Sequence, residues 1–167
     1  SFRDGWRHVK FMLLNAPSYI FSLPGIILMI LGTLVFGLSL FGVQPLGQPF
    51  GSNSMIAGLL LFILGYQAES LSVFSSITSD PIKSPKGKIT EFLLEKFSLE
   101  RGLAGGLISL SLGVGLATYL IFNWYQSNFV NVPSIRSSIT AFAGILIGIQ
   151  TMFYSLFLAL LLEDKQW

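Results

Sequence analysis

Charged residues are absent from three long stretches of this chain: between Lys10 and Glu69, from Gly102 to Ile135, and from Ser137 to Leu162. A soluble domain needs charges at its surface, because too much apolar area would otherwise face water. Stretches of this length predict helices solvated by lipid. A bilayer core of ~30 Å takes ~20 apolar residues at ~1.5 Å each. Four segments meet that length, near Ile20–Val43, Met55–Phe74, Gly102–Phe122 and Ile139–Leu162. Pro24-Gly25 suits the first turn of the first helix. The Pro/Gly-rich run Gln44–Asn53 is a tight turn between the first and second, and Glu163-Asp164-Lys165 ends the fourth. Trp124, Tyr125 and Trp167 fall at helix ends, where amphipathic rings prefer the headgroup zone.

The basic residues orient these spans. Arg3, Arg7 and Lys10 precede the first; Lys83, Lys86, Lys88, Lys96 and Arg101 lie between the second and third; Lys165 follows the fourth. Arg136 alone falls on the other side. Nine against one places both termini and the central loop in the cytoplasm. In a prokaryote the membrane would be the plasma membrane.

A repeat supports the four-span count. Gly65-x-Gln67-x4-Ser72-x-Phe74 recurs as Gly148-x-Gln150-x4-Ser155-x-Phe157, and Gly32 matches Gly115 at the same offset. The expected fold is therefore an all-α membrane protein. Its four transmembrane helices form two hairpins in parallel repeat about an axis along the membrane normal, with in-plane amphipathic helices on the cytoplasmic side. In residue ranges this gives an interfacial helix at 1–19, a first hairpin at 20–75, a cytoplasmic loop with an amphipathic helix at 76–101, a second hairpin at 102–162 and a tail at 163–167. Small residues at Gly102, Gly105, Gly106, Gly113 and Gly115 permit close helix contact within the chain or between copies, so a homo-oligomer is among the expected assemblies.

Composition narrows the chemistry. The chain is 52% hydrophobic and 11% charged, and it has no cysteine and one histidine, His8. Disulfides and thiolate metal sites are excluded. No paired carboxylates beside a nucleophile, phosphate-binding Gly-rich loop or metal-ligand cluster is present, so this segment alone reads as non-catalytic and needs no cofactor. It opens at Ser1 directly on a charged motif, which reads as a piece cut from a longer protein.

In the opening segment Arg3, Arg7 and Lys10 share one helical stripe, beside an apolar stripe of Phe2, Trp6, Val9 and Leu13. This predicts a helix in the headgroup plane. Either it is a basic anchor that sets topology, or its stripe holds the phosphate of a lipid substrate, a task that guanidinium forks suit. Ile89, Phe92, Leu93 and Leu99 line one face of a second in-plane helix over Lys88–Glu100. Glu69 is the one acidic residue inside a span, a functional position by default, although near the cytoplasmic end it can also reach the interface. Gln67 and Gln150, at matching depth, read with Glu69 as polar contacts between helices rather than a transport path.

The opening Ser1-Phe2-Arg3-Asp4-Gly5-Trp6-Arg7-His8-Val9-Lys10-Phe11 resembles the juncture between catalytic domain and membrane anchor in family 2 glycosyltransferases of the dolichyl- or polyprenyl-phosphate sugar synthase type. Pro24-Gly25, Gly65-Tyr66-Gln67 and Leu99-Glu100-Arg101-Gly102 are similar to that family's carboxy-terminal region. The resemblance implies a membrane anchor and lipid-acceptor platform for sugar transfer from a nucleotide-sugar to polyprenyl phosphate. A divalent metal would belong to an upstream catalytic domain that these residues do not include. By the same resemblance Arg3, Arg7 and Lys10 lie close to the lipid phosphate. Partners are then membrane lipids, polyprenyl phosphate and the catalytic domain, with no nucleic acid. The competing expectation is a small four-span flippase or transporter subunit for lipid-linked sugars.

Overall fold

The computed structural model describes residues 3–7, 17–43, 50–78 and 98–163. Apart from a short helical stretch at 3–7, the described residues form four long helices: α1 (Pro17–Leu40), α2 (Ser52–Thr78), α3 (Leu99–Gln126) and α4 (Ile135–Glu163). All four are long and apolar enough to cross a membrane. Large apolar side chains such as Leu112, Phe142 and Phe153 stand on the outside of the bundle, where lipid rather than water is the solvent. No strand occurs among the described residues.

The helix ends follow local chemistry. Pro17, not Pro24, occupies the first position of α1, and Pro24 lies within the helix. A proline at that first position sacrifices an N–H that has no helical partner anyway. Past Leu40, Gly42 adopts φ +65°, and the Val43 N–H reaches back to the Leu38 carbonyl at 3.0 Å. This left-handed stop ends α1 short of the predicted Val43. α3 ends in a similar way. Asn128 takes φ 52°, and the Phe129 N–H returns to the Trp124 carbonyl at 3.0 Å. Trp124 and Tyr125 also hold this turn, with their rings edge-on to Phe129 at 5.0 and 5.9 Å and the Trp124 indole N–H donating to the Phe129 carbonyl at 3.2 Å. At the start of α4 the Ser134 hydroxyl accepts the Ser137 N–H at 3.2 Å, an N-cap.

α1 packs along α2, and α3 along α4; the two hairpins meet chiefly through α2 and α4. We call the end where the hairpins turn the tip and the opposite end the base. Inside each hairpin the backbones touch at glycines. A Cβ on Gly65 would lie 2.5 Å from the Gly25 carbonyl oxygen and 2.6 Å from the Met29 nitrogen. One on Gly148 would lie 2.7 Å from the Gly106 carbonyl oxygen and 2.5 Å from the Leu110 nitrogen. Nearer the tip, Gly32 sits against Gly58 and Phe62, and Gly113 against Ala141 and Ile145. Close backbone approach of this kind lets dispersion hold helices together where lipid supplies no hydrophobic drive.

These contacts make the repeat a geometric fact and correct its register. In α2 and α4, Gly65 corresponds to Gly148 and Phe62 to Ile145, the offset that the sequence motif shows. In α1 and α3, Gly25 corresponds to Gly106 and Gly32 to Gly113, an offset shorter by two. The predicted partner of Gly32, Gly115, has nothing within 4 Å of its Cβ position. From Gly113 to Ile145 the chain runs two positions further than from Gly32 to Phe62, although the connection between the helices is shorter at the second tip, so one offset cannot serve both helices.

At the base, Val73, Ile77 and Leu158 form a buried apolar cluster with Phe74, Tyr154, Leu161 and Leu162 around it. α2 continues to Thr78, past the predicted boundary at 75, and α3 starts at Leu99, so Leu99 and Glu100 belong to a spanning helix and not to the in-plane one. The rest of the expected loop helix, most of the opening helix and the tail at 164–167 lie outside the described residues.

Candidate functional site

One group of polar side chains inside the spans gathers where α2 meets α4. From α2, Tyr66, Glu69 and Ser70 follow one another at helical spacing, and from α4 Thr151, Tyr154 and Ser155 do the same. The Tyr66 hydroxyl donates to Thr151 Oγ1 at 3.2 Å, while Thr151 Oγ1 donates to the Ile147 carbonyl at 2.7 Å. This relay ties the hairpins together across 85 residues of sequence. The Tyr66 and Tyr154 rings lie 5.9 Å apart.

Behind the relay is a chamber of about 280 Å³ to which every helix contributes: Met29 from α1, Tyr66 and Glu69 from α2, Gly102 from α3, Thr151 and Tyr154 from α4. Gly102 lies in the first turn of α3, which places the chamber towards the base. Both carboxyl oxygens of Glu69 are buried, and neither is in hydrogen-bond geometry with a partner. Ser22 of α1 is the hydroxyl facing them. Glu69 therefore reaches inward between the helices, not out to the interface.

On the outer side of the same seam runs an open groove of about 560 Å³. Its walls repeat: Gln67, Leu71 and Phe74 of α2 face Gln150, Tyr154 and Phe157 of α4, each pair at equivalent positions of the repeat. Phe74 is the aromatic hinge of the seam, 5.2 Å from the Tyr154 ring and 4.6 Å from that of Phe157. Gln67 is exposed and Gln150 half-buried. Among the described residues neither amide is hydrogen-bonded to a protein group. The two glutamines thus share a groove, and Glu69 faces the other way.

Arg3 and Arg7 lie on the exposed helical stretch at 3–7; Lys10 falls outside the described residues. Tyr66 figures in the sequence only within the motif Gly65-Tyr66-Gln67, and Thr151 and Tyr154 in none; the signal for all three is a polar stripe at i, i+3 and i+4 inside an apolar run. Arg136, read only as a charge to be counted, sits at the tip. It donates to the Phe50 carbonyl at 3.4 Å and lies against Gly42, so it links the second hairpin to the end of the first. The described residues contain no group of three or more His, Asp or Glu able to hold a metal.

The sequence pattern of the glycosyltransferase family 2 C-terminal transmembrane region matches residues 76–162, from the base of α2 to the end of α4. The chain belongs to that family. This glycosyltransferase family 2 membrane region is also 39% identical over 163 residues to the low-salt glycan biosynthesis hexosyltransferase Agl6 of Haloferax volcanii. That match covers 98% of this chain and 40% of the relative, so the chain spans less than half the length of the protein it resembles. No solved structure matches it. Four spanning helices, two hairpins and a polar seam are thus the structure of a family 2 C-terminal transmembrane region.

Proposed function

We propose that this membrane region anchors a glycosyltransferase that moves a sugar from a nucleotide-sugar to a polyprenyl phosphate, and that it positions the lipid acceptor beneath an upstream catalytic domain. The observation that carries the proposal is the identity of 39% to part of a hexosyltransferase, sustained over 98% of this chain. Four lipid-solvated helices fit an acceptor that itself resides in the bilayer. The exposed helical stretch at 3–7 brings Arg3 and Arg7 onto one face at i and i+4. Guanidinium forks bind phosphate oxygens through paired N–H donors, and Lys10, one turn further on, would extend the stripe. The metal and the nucleotide pocket are assigned to the catalytic domain.

The test is steady-state transfer by the full-length protein in nanodiscs, with polyprenyl phosphate titrated. Arg7→Ala should weaken acceptor use by about 1.5–3 kcal/mol, the net worth of a hydrogen bond to a charged group. Arg7→Lys should rescue it only in part, because the charge stays and the planar fork is lost. Lys86→Ala, in the central loop, should cost little, since screened surface attraction is weak. Equal and undiminished acceptor kinetics in Arg7→Ala and Lys86→Ala would reduce the opening segment to an anchor.

A further inference from the structure

Gln67 and Gln150 are the two side chains of the seam whose position the fold leaves unexplained. Gln67 is as far from Ser52, the first residue of α2, as Gln150 is from Ile135, the first of α4. That distance is about four helical turns, or ~22 Å from the tip. It falls well inside a bilayer core of ~30 Å. Both side chains open onto the outer groove, and neither is hydrogen-bonded within the described residues. An amide carries two donors and an acceptor with two lone pairs. Hydrocarbon satisfies none of them, and an unpaired amide there costs several kcal/mol on non-hydrogen-bonding transfer scales. A lipid chain lying in the groove would cover its aromatic walls and leave both amides unmet.

We infer that the α2/α4 face is the interface with a second copy of this chain, with Gln67 and Gln150 of each copy hydrogen-bonding to the same two residues of the other. Three features favour that occupant. Amides are self-complementary, so an identical face supplies every donor and acceptor this one lacks. Two copies in one membrane share a topology, so their two-fold axis runs along the membrane normal, and equivalent residues meet at equal depth. Because Gln67 and Gln150 hold repeat-equivalent positions, all four amides of a dimer fall on one level. The surrounding surface is apolar and wide, with Leu64 54%, Leu71 49% and Phe153 68% exposed. Phe153 is the bulky side chain able to enter the partner's groove.

The sequence contains no cysteine, so single cysteines can report the contact in the full-length protein once any cysteines elsewhere in it are replaced by serine. Oxidative cross-linking in native membranes should give a covalent dimer for Phe153→Cys. It should give none for Leu31→Cys on α1 or Ile121→Cys on α3, both on other lipid-facing surfaces. Energy transfer between labelled copies should show the association constant falling roughly tenfold when Gln67 and Gln150 are both changed to Leu, the scale of interhelical hydrogen bonds in membranes. The proposal is overturned by cross-linking that is equal at all three sites, by unchanged association in the double variant, or by a monomer that retains a bound lipid in native mass spectrometry. None of these readouts depends on sugar transfer, so the interface and the proposed function stand or fall separately.

Discussion

Gly65 of α2 and Gly148 of α4 do the same work in the two hairpins. Each presses its bare Cα against the neighbouring helix, where a methyl group would meet a carbonyl oxygen and a backbone nitrogen at 2.5–2.7 Å. Helix backbone cannot move aside as the end of a side chain can. These two positions, with Gly25, Gly32, Gly106 and Gly113, therefore set the spacing of both hairpins.

Alanine at such a position should separate the helices. Gly65→Ala, Gly148→Ala and Gly32→Ala are each expected to destabilise the fold by about 1–3 kcal/mol, the range for overpacking. Gly115→Ala and Gly105→Ala, where nothing lies within 4 Å, should be neutral or slightly stabilising through helix propensity. Thermal unfolding in a single detergent ranks the five. A loss at Gly115 equal to that at Gly32 would restore the register predicted from sequence.

Tyr66→Phe removes the hydrogen bond to Thr151 and little else. The expected cost is about 0.6 kcal/mol, the average for interhelical hydrogen bonds measured in a membrane protein. A double-mutant cycle with Thr151→Val checks it, because the coupling should vanish once either partner is gone. An additive double variant would mean that the two hydroxyls contribute independently.

Glu69→Leu replaces two buried, unpartnered oxygens with an apolar branch in a chamber of about 280 Å³. Relieving an unsatisfied buried polar group is worth about 1–3 kcal/mol, so the melting temperature should rise. Glu69→Ala should gain less, because it leaves the chamber larger. A fall in both variants would show that the carboxyl is held by a partner in the intact protein.

Topology has its own test. Cysteines placed near Lys86 and at Ser134, beside Arg136, should label from opposite faces of the membrane, with Lys86 on the cytoplasmic side. Labelling near Lys86 by an impermeant reagent outside intact cells would invert the orientation.

The sequence alone determined the four spans, because a charge-free run of that length has one stable solvent, and a span's existence depends on composition summed over ~20 residues. It also determined the pairing of α2 with α4 at a single offset, since Gly, Gln, Ser and Phe recur there in order. Single positions were harder. The end of α1 turned on one left-handed glycine, Gly42, and its start on Pro17 rather than Pro24. The register of α3 depended on two extra positions between its glycine contacts and those of α4, which no periodicity within a helix reports.

The chamber and the groove belong to the tertiary structure alone. The Glu69 carboxyl is enclosed by side chains gathered from separate helices, and Tyr66 finds its partner 85 residues away. Whether a polar residue inside an apolar run faces lipid, protein or cavity is decided by how the helices are rotated against one another. Here that rotation was set by backbone contacts at glycines, residues with no side chain to reveal in sequence which way they turn.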